Sequence, residues 1–289
     1  MQGGNCGGRS MARTGLRRAL TRRMPWLVPL KGAVRMISVS VRYSARVVLY
    51  RICGSRGSVF RSIYLRRAWC GGSGGGSGVE QTRAIRAQLP ELARELRVRS
   101  VLDAPCGDYR WMSQVEWDLE SYVGVDIVPE LIEINRAAYQ TDAVRFAVAD
   151  ITCDPLPRAD LVLVRDCFVH MSHRDIKQAL RNLKATGSTF LLTTTYPGGV
   201  RRNWNIMTGW WRALDFERPP FNFPAPERVL DEHNVEEYDK QSKSLGLWRF
   251  EDLSFGEGPG KAPAAGPHER ATVRRQLDSE SASASSADG

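Results

Sequence analysis

Asp103, Asp126 and Asp150 each end or closely follow a short apolar run: Ser100-Val-Leu-Asp103, Tyr122-Val-Gly-Val-Asp126 and Val144-Arg-Phe-Ala-Val-Ala-Asp150. The acids are 23 and 24 residues apart. That spacing suits repeated strand–loop–helix units of a parallel sheet, each delivering one carboxylate to the sheet's carboxyl edge. Ligands of open α/β sheets bind at that edge. An acid about 20 residues past a glycine-bearing turn is the usual acceptor for ribose hydroxyls. The pattern implies a nucleoside-bearing cofactor.

The turn after the first run decides which cofactor. A dinucleotide needs its pyrophosphate on a helix N-terminus, reached through a glycine-rich turn of the G-x-G-x-x-G type. Here the turn is Ala104-Pro-Cys-Gly-Asp-Tyr-Arg-Trp111, with one glycine and with Asp108 where phosphates would sit. Like charges make that a poor phosphate cradle. No G-x-x-x-x-G-K-[ST] loop occurs either. A cofactor with a ribose and a positive centre but no phosphate fits better, and S-adenosylmethionine is one. The plain structural alternative is three ordinary βα turns in which Asp caps helices. Three acids in register, with a Cys-Gly turn after the first, favour the functional reading.

Val101-Leu-Asp-Ala-Pro-Cys-Gly-Asp108 resembles the first motif of the class I S-adenosylmethionine-dependent methyltransferases, in a variant where Pro-Cys replaces the first glycine. The resemblance spans roughly Ile63 to Leu253 and is strongest over Ser100–Tyr196. It implies a Rossmann-like α/β fold: a mostly parallel seven-stranded sheet, helices on both faces and an antiparallel closing strand. It also implies site roles. Cys106, Gly107 and Asp108 would line the methionine part, and Asp103 would hold the loop or the amino group. Asp126, with Ile127 beside it, would meet the ribose, and Asp150-Ile151 the adenine edge. Cys106 is either a redox-sensitive thiol or a small residue packed under the cofactor. Leu161-Val-Leu-Val-Arg-Asp166 resembles the fourth strand and the active-site edge after it.

Methyl transfer from a sulfonium requires alignment and exclusion of water but no metal. An oxygen or amine acceptor also requires a base. Asp166, His170 and His173 follow the fourth strand, and His170 is the first choice because an ordinary histidine titrates near neutral pH. Asp166 is an alternative base or an aligning group. No N-P-P-Y motif, frequent in amino-group methyltransferases, is present, which points to transfer onto oxygen of a small-molecule or glycan acceptor. Two rivals remain: a cofactor-binding scaffold or regulatory protein of the same fold without turnover, and a dehydrogenase, which Asp108 and the single glycine count against.

The elements that would position these groups follow from periodicity. Thr82 caps a helix carrying Ile85, Leu89, Leu92 and Leu96 on one face, with Pro90 able to kink it. Strands are expected at Ser100–Ala104, Tyr122–Asp126, Val144–Val148, Leu161–Arg165 and Thr189–Thr194, with a closing strand within Leu245–Leu253. A short helix is expected around Trp111–Val115. Pro129 suits the first turn of a helix through Ala138. Ser172 with Asp175 starts another, which ends at Gly187.

Charge divides the chain. Residues 1–79 hold 15 Lys+Arg and no Asp or Glu, and the remaining 26 basic and 32 acidic residues give the body a net charge of −6. A nucleic-acid-binding body would carry its own basic face, so nucleic acid is not expected as the core's partner. The expected organisation is a basic disordered or targeting arm over residues 1–60, a methyltransferase domain over 61–255 and a disordered tail over 256–289. Residues 196–233, with six Trp and Phe side chains, would be a substrate-covering insertion or an irregular cap with its own small core. The arm has a transit-peptide composition, implying a mitochondrion or chloroplast in a eukaryote and the cytoplasm otherwise. Lys31, Arg35, Arg42 and Arg46 interrupt Pro25–Ile52, so the arm is not expected to span a membrane; a solvated disordered arm ranks with the transit peptide, and weak contact with an anionic membrane surface is a third reading. Cys70–Gly78 reads as a linker or, with Trp69, a lid. Six cysteines with no C-x-x-C pair read as free thiols, with no metal site expected.

Overall fold

The computed structural model describes residues 55–68, 74–232 and 243–255, all within the compact unit Cys53–Gly289. The expectations for residues 1–54, Trp69, His233 and the tail from Gly256 lie outside the described residues, as do residues 70–73 of the expected linker.

Seven strands form one sheet: β1 (Ser100–Asp103), β2 (Ser121–Asp126), β3 (Val144–Val148), β4 (Leu161–Val164), β5 (Phe190–Thr195), β6 (Arg228–Asp231) and β7 (Ser244–Arg249). Their order is β3-β2-β1-β4-β5-β7-β6. The first five strands in that order are parallel, and β7 runs antiparallel to both β5 and β6. This is the Rossmann-like architecture expected. The chain reverses direction of travel across the sheet between β1 and β4, the switch point beside which ligands of such sheets bind. β4 and β5 are buried along their whole length; β4 is the continuous apolar run expected of a doubly covered sheet, while β5 ends in three buried threonines.

Among the described residues four helices accompany the sheet: α1 (Arg56–Leu65), α2 (Arg83–Leu96), α3 (Pro129–Tyr139) and α4 (His173–Ala185). Their local causes are legible. Pro129 opens α3. The Ser172 side chain accepts from the Asp175 amide at the start of α4. Gly187, at φ +76, follows its end. α2 runs through Pro90 as one helix. Thr82 does not cap it through its side chain; the hydroxyl donates back to the Gly78 carbonyl instead. The short helix expected around Trp111 is a single 3-10 turn, Met112–Gln114.

Two elements were not anticipated. β6 is four residues with an exposed half, too short and too polar for a clear alternation. α1 crosses the boundary expected between residues 60 and 61. Its composition is basic like the arm's, but Val59 and Ile63 are buried. Gly209 packs so closely on Val59 that a Cβ there would lie 2.7 Å from it. Two apolar contacts tie α1 to the body despite its weak amphipathic pattern.

Candidate functional site

The carboxyl ends of β1, β2 and β4, with the loop after β3, open into a cleft of about 1000 Å³ including its mouth. Of the ten expected site residues, nine line it: Asp103, Cys106, Gly107, Asp126, Ile127, Asp150, Ile151, Asp166 and His170. Asp108 does not. Its carboxylate folds back to accept from the Arg110 amide at 3.3 Å, stabilising the turn instead of facing the cleft.

The turn after β1 is stitched to its neighbours. The Cys106 amide donates to the Val125 carbonyl (2.8 Å) and the Gly107 amide to Asp126 Oδ2 (3.2 Å). Gly107 takes φ +55. The buried Asn135 of α3 donates from Nδ2 to the Gly107 carbonyl (2.7 Å). Asn135 was missed from sequence; its only signal was a polar residue on the buried stripe of α3. Gly124 lets β2 approach, since a Cβ there would meet Phe146 at 2.8 Å and the Cys106 Cβ at 3.0 Å. Burial pushes the Cys106 thiol well up. It stays protonated at neutral pH, which suits a packing residue and not a reactive thiolate.

The carboxylates differ in what already satisfies them. Asp126 accepts from the Val128 amide at Oδ1 (3.0 Å) and from Gly107 at Oδ2; burial still raises it to about 6. Asp103 accepts from the Tyr122 hydroxyl at 2.5 Å, and burial raises it to about 7 against that bond and the Arg165 charge. Asp150 is committed further. Oδ1 accepts from the amide and hydroxyl of Thr152 (2.9 and 2.7 Å), and Oδ2 pairs with Arg56 Nε at 2.8 Å.

Arg56, Phe60 and Tyr64 place one face of α1 on the cleft. Part of the expected arm is therefore cleft wall. Arg56 also reaches Asp175 at 3.4 Å. Asp175 in turn accepts from the Thr208 hydroxyl, and Thr208 accepts from the Ser172 amide at 3.0 Å. One guanidinium thus ties the end of β3 to the start of α4 and to the 203–212 loop.

At the β4 end, Asp166 takes φ +53 and its amide donates to Thr194 Oγ1 (2.9 Å). Its carboxylate meets Lys243 at 2.6 Å and Arg165 at 3.3 Å. Burial opposes ionisation, but these two cations hold the carboxyl well below the usual range. Asp166 is thus fixed as an anion and is no proton acceptor near neutral pH. Arg165, also missed from sequence, pairs with the fully buried Glu232 at 2.6 Å, donates to the Gly76 carbonyl at 2.7 Å and lies over the Trp111 ring at 5.2 Å. Gly76 belongs to the Gly/Ser stretch, whose turn Gly75–Ser77 brings Ser77 to the cleft wall. The described end of that stretch is part of the site.

His170 Nδ1 lies 2.9 Å from the Trp210 carbonyl. A carbonyl only accepts, so Nδ1 carries the hydrogen and the lone pair of the neutral ring is at Nε2. Burial lowers the ring to about 4, against the favourable Trp210 carbonyl and Asp166 charge. The neutral-pH titration expected of it gives way to this desolvation. His173 is not in the cleft; its ring packs on Phe221 at 5.3 Å.

Among the described residues, the stretch after Tyr196 contributes no side chain to the cleft wall. Phe216, Phe221 and Phe223 are buried with Phe168 and Trp248. These rings join the main core of the domain, and the 203–212 loop meets the His170 turn through the Gly209 and Arg212 amides and the Arg212 guanidinium.

Residues 101–186 match the model of a family described as a methyltransferase domain. No curated protein matches the sequence. Solved structures similar to this chain include the N-methyltransferase NodS from Bradyrhizobium japonicum WM9, at 14% identity over 58% of this chain and 96% of that one, with a TM-score of 0.44. Another is the 1,6-didemethyltoxoflavin-N1-methyltransferase of Burkholderia thailandensis, at 18% identity over 72% and 89%, TM-score 0.45. Human N-acetylserotonin methyltransferase shares 14% identity over 68% and 57%, TM-score 0.44. The family match runs from β1 to the end of α4, and this stretch is a methyltransferase domain on a Rossmann-like sheet, which supports S-adenosylmethionine-dependent methyl transfer.

The cleft suits that cofactor. Asp103 and Asp126 are carboxyls whose ionisation burial penalises. A ligand bringing a positive amino-acid head and ribose hydroxyls supplies what their charged forms lack.

Proposed function

We propose that this enzyme methylates an oxygen of a small-molecule or glycan acceptor, with His170 taking the acceptor's proton. On this reading Asp103 faces the cofactor's ammonium and Asp126 accepts from the ribose hydroxyls. The Cys106–Gly107 turn lies along the methionine part, and Ile127 and Ile151 flank the nucleoside. Asp150 acts at the adenine edge mainly by fixing α1 through Arg56. The catalytic domain then begins no later than Ser55. When bound, S-adenosylmethionine supplies an electrophilic methyl group.

The observation that carries the base assignment is the Nδ1 bond from His170 to Trp210. It orients the ring and makes Nε2 the basic nitrogen of a residue that lines the cleft with the three strand-end acids. Asp166 supports this as an aligning anion whose charge favours the protonated ring. A ring held near 4 is a weak base. It suits a hydroxyl that is already acidic, phenol-like or enol-like, better than an ordinary alcohol. Arg165, Lys243 and Glu232 keep Asp166 in place and close the cleft at the β4 end.

The test is turnover of labelled S-adenosylmethionine across small-molecule and glycan acceptors, comparing wild type with His170→Ala. Loss of about 10²–10⁴-fold is expected for a general base, with cofactor affinity little changed. At saturating cofactor the wild-type rate should be flat from pH 5 to 8 and fall only toward the His170 pKa of about 4. Near-normal turnover in His170→Ala would remove the base assignment. Tight binding of S-adenosylhomocysteine with no turnover on any acceptor would favour the scaffold.

A further inference from the structure

Three indoles stand in water on one loop: Trp204 is 65% exposed, Trp211 48% and Trp210 38%. The loop is not free to fold them away. The Arg212 guanidinium donates to the carbonyls of Phe168, Val169, Met171 and Trp204 at 2.8–3.0 Å. Asn203 donates to the Asp215 carbonyl at 2.8 Å. Exposed apolar rings held on a fixed backbone mark an interaction surface.

Charge identifies the partner. Residues 196–214 carry no Asp or Glu, within a body that is net acidic, and of their three arginines Arg212 is spent on backbone carbonyls. Arg201 and Arg202 are both exposed on the loop, and Arg202 lies 4.8 Å from the Trp204 ring centre. Tryptophan with arginine is the combination that settles at the interface of an anionic bilayer, the rings at headgroup depth and the cations on lipid phosphates. Residues 1–79, with 15 Lys+Arg and no acid, give the same chain a polybasic segment that would add to the loop's attraction for anionic lipid.

We propose that this protein docks on anionic lipid surfaces through the Arg201–Trp211 loop. The surface is independent of the methyl-acceptor assignment. It has one consequence for the cleft: the Gly209 amide donates to the His170 carbonyl at 2.7 Å, so docking brings the His170 end of the cleft toward the interface.

The experiment uses the full chain with phosphatidylcholine vesicles, with and without phosphatidylglycerol, read by co-sedimentation and by tryptophan quenching with brominated lipid. Binding is expected only with the anionic lipid, weakening as salt rises. Arg201→Gln with Arg202→Gln should weaken it by about 10–30-fold, and Trp204→Ser with Trp211→Ser by about tenfold or more. Both double variants should bind S-adenosylhomocysteine as the wild type does, which shows that they fold. The proposal is overturned if the tryptophan pair variant binds vesicles unchanged, which would put attachment in residues 1–79 alone. It is also overturned if no vesicle binds, or if heparin or nucleic acid binds as well as anionic vesicles with no dependence on the tryptophans.

Discussion

Removing Arg56 tests whether the segment before residue 60 is accessory or is wall. Arg56 bonds Asp150 at 2.8 Å and Asp175 at 3.4 Å, with side-chain exposures of 18%, 17% and 5%. These are partly buried charge-assisted bonds, worth about 1.5–3 kcal/mol each when a partner is lost. The Asp175 contact is long and Asp150 keeps Thr152, so the total for Arg56→Gln is about 2–3 kcal/mol. In a domain of this size that lowers the melting midpoint by about 4–10 °C. A chain starting at Ser58 loses the same contacts and also Ser55, whose side chain caps α1. Phe60 and Tyr64 then stand on an uncapped, untied helix, and S-adenosylhomocysteine affinity should fall about tenfold or more, the equivalent of one such bond. Calorimetry and thermal melts read both quantities. A chain starting at Ser58 that melts and binds like the full chain would refute the reasoning and return the boundary to residue 60.

Asp126→Ala should weaken S-adenosylhomocysteine binding by about 10–100-fold, since charge-assisted bonds to hydroxyls are lost; unchanged calorimetric affinity in a folded variant would rule out the ribose assignment. Asp103, raised to about 7, binds a cationic head only when ionised, so cofactor affinity should climb as pH rises through about 7 and level off above it. Asp103→Asn should bind weakly with no such climb; a climb that persists would place the titrating group elsewhere. Gly124→Ala puts a Cβ 2.8 Å from Phe146 and 3.0 Å from Cys106, and overpacking of that kind costs about 1–3 kcal/mol. It should lower the melting midpoint and also weaken cofactor binding, because the displaced strand carries Asp126; a neutral melt would show that the two side chains yield freely.

The strand-end acids were legible because they sit at the ends of apolar runs, where a parallel sheet has one edge to offer them. β1 to β5 and the helices Pro129–Tyr139 and His173–Ala185 announced themselves by period and by caps, while the full architecture and most candidate site residues came from the family resemblance; nine of those ten residues line the cleft. Packing decided the rest. Asp108 has the same charge and neighbourhood as Asp103, but the turn sends its carboxylate back to its own backbone. Arg56 belongs by composition to a basic arm and by contact to the cleft, because pairing with Asp150 depends on a separation of 94 residues that no local pattern encodes. Arg165 and Glu232 are likewise 67 residues apart. His170 was found by its place after β4, while its low pKa was invisible, since desolvation is a property of everything packed around a group. Local sequence determines which backbone a segment prefers and which chemistry it carries. Which of those groups share a cleft, and in which protonation state, is set by contacts between distant segments, and these exist only once the sheet has closed.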